Sequence, residues 1–140
     1  MGQLDTTIYT GKRVEKNLTL LFDEGDDVIQ GMRKAIQEHG IREANAKSAD
    51  GELSDALIQY FIHNKFTSHE IKNGRIVNVS GRFLNLKDGV YGDLKVSFML
   101  GMQMWNGTLT RARAKKGFQL TLSFREEADK SEKGLSGIKY

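Results

Sequence analysis

Apolar and polar residues alternate along most of this chain, a pattern that predicts β-strands. Residues 6–22 predict two short strands around a polar connection at 11–16, and in the second strand Leu18, Leu20 and Phe22 form an apolar face. From position 41 onwards strands dominate, and the predicted strands are 41–46, 55–63, 65–71, 75–86, 92–100, 103–112 and 117–125. The dipeptide Asn73-Gly74 predicts a hairpin turn between two of them.

One segment has helical periodicity instead. Apolar residues recur there at spacings of three and four, namely Val28, Ile29, Met32, Ala35 and Ile36. They predict a helix over 27–39, roughly 20 Å long. Acidic residues precede it, where the helix dipole favours negative charge, and Gly40 suits a left-handed helix end. A single long amphipathic helix among many strands predicts an α+β fold, in which the helix packs on one face of a mostly antiparallel β-sheet.

Composition limits the classes of protein to consider. The 140 residues fit one domain, predicted over 1–125, followed by a polar carboxy-terminal tail over 126–140. No apolar run approaches the ~20 residues that span a bilayer, and the first residues lack a secretory signal. We therefore expect a cytoplasmic protein without a membrane partner. The absence of cysteine excludes disulfides and thiolate chemistry.

The segment SADGELSDALIQYF, residues 48–61, joins a turn at Gly51 to a strand-like alternation. It resembles the Gly-x-Leu-Ser-x-Ala segment of the plant and prokaryote conserved domain, called PPC or PCC. Three further pieces are similar to that family and occur in the same order: LFDEGDDVIQGMRKAIQEHGI, HEIKNGRIVNVSGRF, and the pair YGDLKVSF and WNGTLTRA. The resemblance covers about 18–124.

The resemblance implies a PPC-like scaffold, a homotrimer, and a non-catalytic binding module that binds DNA or takes part in transcription. The chain also departs from the family's pattern at one site. Where the family often has histidines that can hold a metal, this chain has Asp93, Lys95 and Thr108. Because a charged ammonium has no lone pair and a hydroxyl is a poor zinc ligand, we expect neither a metal nor a cofactor. The chain's own histidines, His39, His63 and His69, lack ligand spacing and suit structural or solvent-exposed roles.

A second candidate site is cationic. Arg111 and Arg113 lie two apart, so on a strand both side chains point to one face, and Lys115 and Lys116 follow. These four residues could contact nucleic-acid phosphates weakly and with a steep salt dependence. Alternatively, they form the solvated surface of an edge strand, where positive charge discourages aggregation.

A third candidate is a small-molecule pocket, or an enzyme site, at a subunit interface. Asp93, Lys95, Asn106 and Thr108 cluster at the positions of the family histidines and could contact a polar or anionic metabolite. No nucleophile is evident there, because a lysine acts as one only when it loses its charge. The methionines around Gly101 predict core or subunit-interface packing, with a pliable binding surface as the alternative.

Overall fold

Ten β-strands and one α-helix make up the part of the chain that the computed structural model describes, residues 2–10 and 13–127. The helix, α1 (Val28–Glu38), follows the first two strands. In chain order the strands are β1 (Gly2–Thr10), β2 (Arg13–Leu21), β3 (Glu43–Asp50), β4 (Glu52–Ile62), β5 (Lys65–Ser80), β6 (Arg82–Leu86), β7 (Gly89–Tyr91), β8 (Lys95–Leu100), β9 (Gln103–Ala114) and β10 (Gln119–Glu127).

The helix is shorter than predicted. It has 11 residues, about 16 Å. Asp27 keeps an extended backbone and its carboxylate accepts the N–H of Gln30 at 3.0 Å, so Asp27 caps the helix instead of extending it. His39 caps the other end. The predicted α+β class with one long amphipathic helix is therefore wrong, and the protein is a β-rich fold with a single short helix.

The strands form two separate antiparallel arrangements. Six strands form an open sheet in the order β1-β2-β10-β3-β6-β7, and β4, β5, β8 and β9 close into a barrel. The chain passes from the open sheet to the barrel at Gly51, where φ is +120°. A Cβ atom on Gly51 would lie 3.1 Å from the Cα of Phe118, so close packing also favours glycine there. The chain bends at Gly51, where the sequence predicted a turn.

The predicted hairpin at Asn73-Gly74 is wrong, because β5 continues through it for 16 residues. A Cβ atom on Gly74 would lie 2.6 Å from Ile71 Cγ2 and 2.9 Å from Phe98 Cδ1, so glycine there allows close packing and does not make a turn. The hairpin between β4 and β5 instead turns at His63 and Asn64, whose φ values are +52° and +61°.

One hydrophobic core joins the open sheet, the barrel and the helix. Val28, Met32, Ala35 and Ile36 of the helix are buried, which confirms most of the predicted apolar face. The largest fully buried side chains include Phe83 and Leu120 of the open sheet and Phe98 of the barrel. This shared core fixes the barrel strands relative to the rest of the chain.

The predicted domain boundaries, 1–125 and 126–140, stay a prediction. Strand β10 continues to Glu127, and the remainder of the predicted tail lies outside the described residues. Among the described residues, no helix is both long and apolar enough to cross a membrane.

Candidate functional site

A solvent-open cavity of about 410 Å³ lies on the barrel where β4 and β9 separate. The two strands pair as far as Gln59 and Thr108, and beyond that point β4 continues in its hairpin with β5. All four barrel strands contribute to the wall, which consists of Gln59, Tyr60, Phe61, Phe66, Asn78, Ser80, Lys95, Val96, Ser97, Asn106, Gly107 and Thr108. The volume lies within the range of small-molecule sites.

Glycine at position 107 holds the two strands close at the inner end of the cavity. A Cβ atom there would lie 2.9 Å from the carbonyl oxygen of Gln59 and 3.1 Å from the Cβ of Ile58. A larger residue would push β4 away from β9. The shape of the cavity therefore depends on this glycine.

Hydrogen-bond donors line one side of the cavity. Lys95 pairs across the strands with Ser80 on one side and Thr108 on the other, so three polar side chains form a row on the outer face of the barrel. Beside this row, the hydroxyl of Ser97 donates to Oδ1 of Asn106 at 2.5 Å. That bond directs the amide NH₂ of Asn106 away from Ser97, where it remains a donor.

The lining contains one cation and, among the described residues, no carboxylate. Lys95 is exposed and forms no ion pair with any residue of the described chain. An unpaired ammonium surrounded by hydroxyl and amide groups can bind an anion without first breaking an ion pair. We call Lys95, Ser80, Asn106 and Thr108, together with Ser97 that orients Asn106, the donor cluster.

An aromatic pair lies at the other end of the cavity. Phe61 on β4 and Phe66 on β5 face each other across the hairpin, with ring centroids 5.1 Å apart and planes at 70°. Both are largely solvent-exposed, at 60% and 70%. A wall with apolar rings at one end and donors at the other is suited to an amphipathic small molecule.

Three of the four residues predicted for a pocket line this cavity, namely Lys95, Asn106 and Thr108. The fourth, Asp93, lies outside it, in the connection between β7 and β8. The backbone carbonyl of Asp93 lies against Gly81, where a Cβ atom would approach it to 2.4 Å. Asp93 therefore adds no negative charge to the cavity wall.

Two of the four cationic residues predicted to contact nucleic acid, Arg111 and Lys115, have acidic partners. Arg111 donates two hydrogen bonds to the carboxylate of Asp55, at 2.8 and 3.1 Å, and one to Glu70 at 2.8 Å. The ammonium of Lys115 lies 3.2 Å from Glu52. Both charges are therefore largely neutralised within the chain.

Arg113 and Lys116 differ from the other two. A guanidinium nitrogen of Arg113 lies 3.4 Å from the carbonyl oxygen of Gly25, and the backbone N–H of Lys116 donates to Glu24 at 2.8 Å. Neither side chain forms an ion pair with a carboxylate in the described part of the chain. The positive charges of Arg113 and Lys116 are therefore available to contact a partner.

The ion pairs around Asp55 lower the pKa of its carboxyl group. Hydrogen bonds from Arg111 and then from Lys72, whose ammonium lies 2.9 Å away, lower the pKa of Asp55 to about 2. Glu70 links the same two cations. This network lies on the outer face of the barrel, on β4, β5 and β9. We interpret it as a structural ion-pair network, because ion pairs between strands also lower a carboxyl pKa.

The residues at the family histidine positions do not fit a metal, because Lys95 and Thr108 are unsuitable ligands. Within the ranges described, no group of three or more histidine or acidic residues is arranged to hold a metal ion. His39 caps the helix, His63 lies in the hairpin turn, and the ring of His69 stacks on Trp105 with centroids 3.9 Å apart.

Part of the cavity wall was not predicted from the sequence. Ser80, Ser97 and the Phe61–Phe66 pair were not predicted. The aromatic pair could have been found from the His63-Asn64 dipeptide, because asparagine tolerates the left-handed backbone of a two-residue turn and such a turn sets the two phenylalanines opposite each other. Ser80 and Ser97 had no such local signal, since β5 meets β8 only through tertiary pairing.

The sequence and fold match one known family. The model of the Plants and Prokaryotes Conserved (PCC) domain matches residues 9–122, and the chain therefore belongs to the PCC domain family. None of the curated proteins matches the chain.

Solved structures have the same fold. A plant- and prokaryote-conserved protein from Pyrococcus horikoshii has a TM-score of 0.68 at 15% identity, over 85% of each chain. A candidate DNA-binding protein from Ralstonia eutropha JMP134 has a TM-score of 0.67 at 15% identity, over 86% of this chain and 82% of that one. A metal-containing protein from Archaeoglobus fulgidus has a TM-score of 0.67 at 21% identity, over 79% of this chain and 80% of that one.

Proposed function

We propose that this PCC-domain protein is a non-catalytic binding module whose ligand site is the barrel cavity and whose ligand is anionic. One observation carries the proposal: the only cation in the described cavity wall, Lys95, is unpaired and surrounded by hydroxyl and amide donors. A bound anion would gain charge-assisted hydrogen bonds there without competition from a carboxylate. No described lining residue is a histidine or an acid, which favours binding over acid–base catalysis.

Nuclear magnetic resonance titrations with phosphate and with acetate test this function. We expect either anion to shift the amide signals of residues 80, 95, 97, 106 and 108. Lys95→Met should abolish these shifts, whereas Lys87→Met, which removes an exposed lysine from the turn between β6 and β7, should preserve them. The absence of shifts with both anions in the unsubstituted protein would show that the proposal is wrong.

A second candidate function is weak nucleic-acid binding. The unpaired charges of Arg113 and Lys116 favour it, and a solved neighbour is named a candidate DNA-binding protein. Arg111 and Lys115 would contribute less, since their charges are neutralised by Asp55 and Glu52. Contacts of this kind would be steeply salt-dependent.

Fluorescence anisotropy with duplex DNA at low salt tests the second candidate. We expect Arg113→Gln combined with Lys116→Gln to weaken binding. Arg33→Gln combined with Lys87→Gln removes the same charge elsewhere on the surface and should leave binding closer to that of the unsubstituted protein. Equal losses in the two double variants would contradict a site at Arg113 and Lys116, and so would undetectable binding.

We also propose that the protein acts as a homotrimer. Exposed methionines at the β8–β9 hairpin support it, since Met99 is 40% exposed, Met104 48%, and Met102 fully exposed. Light scattering should give about three times the chain mass of 15.8 kDa. A mass equal to one chain at micromolar concentration would contradict the trimer. The cytoplasmic location stays a prediction.

A further inference from the structure

We propose that the barrel cavity recognises an organic anion that carries a flat aromatic group of one or two rings. This inference rests on the proposed function, because it uses the same cavity and its donor cluster. It adds a second recognition element, the aromatic pair of Phe61 and Phe66.

The aromatic pair lies beside the hairpin turn at His63 and Asn64. Two phenylalanine rings with exposures of 60% and 70% leave a large apolar surface in water, which is unfavourable unless something covers it. Their centroids are 5.1 Å apart in an edge-to-face arrangement, so each ring already packs against the other. A third flat ring can complete this arrangement with little loss of side-chain freedom.

The strand register sets the distance between the two recognition elements. Gln59 pairs with Thr108, Thr108 pairs with Lys95, and Phe61 lies two residues beyond Gln59 on the same face of β4. With strands ~4.8 Å apart and ~3.3 Å per residue, the backbones of Phe61 and Lys95 are separated by roughly 12 Å. Both side chains line the cavity between these points.

Two simpler ligand classes would each use only part of the wall. A small inorganic anion would contact the donor cluster and leave the rings exposed. An uncharged aromatic molecule would cover the rings and leave the ammonium of Lys95 without a partner. A carboxylate or phosphate attached to an aromatic group satisfies both ends, because its charge meets Lys95 and the amide of Asn106 while its ring contacts the phenylalanines.

The test compares three probes by nuclear magnetic resonance titration: 2-naphthoate, 2-naphthalenemethanol and acetate. We expect 2-naphthoate to bind at least about tenfold more tightly than acetate, because only it buries an apolar ring as well as a charge. The alcohol should bind more weakly than 2-naphthoate, since it lacks the charge. Signals of both hairpin strands near 61 and 66 and of the donor cluster should shift together.

Two variants test the aromatic pair and the donor cluster separately. Phe66→Leu should weaken 2-naphthoate binding several-fold more than it weakens acetate binding, and Lys95→Met should weaken the binding of both anions. Phe61→Leu serves as the second aromatic variant if Phe66→Leu does not fold.

Several outcomes would overturn the inference. If acetate and phosphate shift the donor cluster but 2-naphthoate binds no more tightly than acetate, the aromatic element is wrong while the proposed function stands. If none of the anions shifts these signals, both fail. Equal affinity for the alcohol and the carboxylate would refute charge recognition. A change in oligomeric mass in Phe66→Leu would assign the rings to a subunit contact and overturn the inference.

Discussion

The guanidinium of Arg111 donates two parallel hydrogen bonds to the carboxylate of Asp55, from Nε at 2.8 Å and from Nη2 at 3.1 Å. The bonds connect neighbouring strands β9 and β4, and Lys72 on β5 reaches the same carboxylate. Two-point geometry of this kind is the strongest form of surface ion pair. Asp55 is therefore the centre of a network across three barrel strands.

Replacing Asp55 should destabilise the barrel. Asp55→Asn removes the negative charge and one of the two acceptor oxygens used by Arg111 and Lys72, so we expect a loss of about 1 kcal/mol in the free energy of unfolding. Urea unfolding followed by circular dichroism measures it. Glu70→Gln is the matched control, since Glu70 accepts one hydrogen bond from Arg111, and its loss should be smaller. An equal loss would mean that Asp55 is not the centre of the network.

The same carboxylate should make stability depend on pH. The pKa of Asp55 is about 2 in the folded protein, below its usual value of 3.8, so its contribution is present above pH 3.8 and disappears as the pH falls towards 2. Urea titrations between pH 6 and pH 2 should therefore show the stability difference between the unsubstituted protein and Asp55→Asn shrinking with acidity. A difference that stays constant over this range would refute the lowered pKa.

The helix cap should be sensitive to the side chain of Asp27. Asp27→Ala removes the acceptor of the Gln30 N–H, and we expect a loss of about 1 kcal/mol in the free energy of unfolding. Asp27→Asn keeps a side-chain oxygen at the cap and should lose much less. Thermal unfolding of both variants provides the measurement. Equal stability of the two variants would contradict the cap.

Gly74 should be required for packing and not for backbone conformation. In Gly74→Ala the added methyl group would meet Ile71 and Phe98, and we expect a loss of about 1–3 kcal/mol in the free energy of unfolding. Gly101→Ala provides the contrast, because its φ is +61° and nothing lies within 4 Å of the added atom. Its loss should be about 1 kcal/mol, from backbone strain alone. A larger loss in Gly101→Ala would refute the packing argument.

Local patterns predicted some elements well and others poorly. The position of the helix, the turn at Gly51 and most strands follow from spacing and turn residues, because these features depend on neighbours in sequence. Asn73-Gly74 misled the prediction, since its glycine is required by close packing against Ile71 and Phe98, and Phe98 comes from a separate strand, β8. Local patterns also could not predict that the strands divide into an open sheet and a barrel.

The candidate site shows the same limit. Lys95, Asn106 and Thr108 were singled out because the resemblance to the PCC family places histidines at these positions, and the β8–β9 hairpin brings them together. The neutralisation of Arg111 could not be anticipated, because Asp55 comes from β4, more than fifty positions earlier. Charge counted along the sequence therefore overestimated the positive surface near Arg111 and Lys115.

The uninterrupted course of β5 has a consequence for how the chain folds. Its residues 65–75 belong to a hairpin with β4 and its residues 75–80 pair with β8, which forms its own hairpin with β9. Both hairpins join residues that are close in sequence and can form early, whereas closure of the barrel brings Ile58 to Leu109. We expect this long-range closure to limit the folding rate, and the cavity to come into existence only at that step.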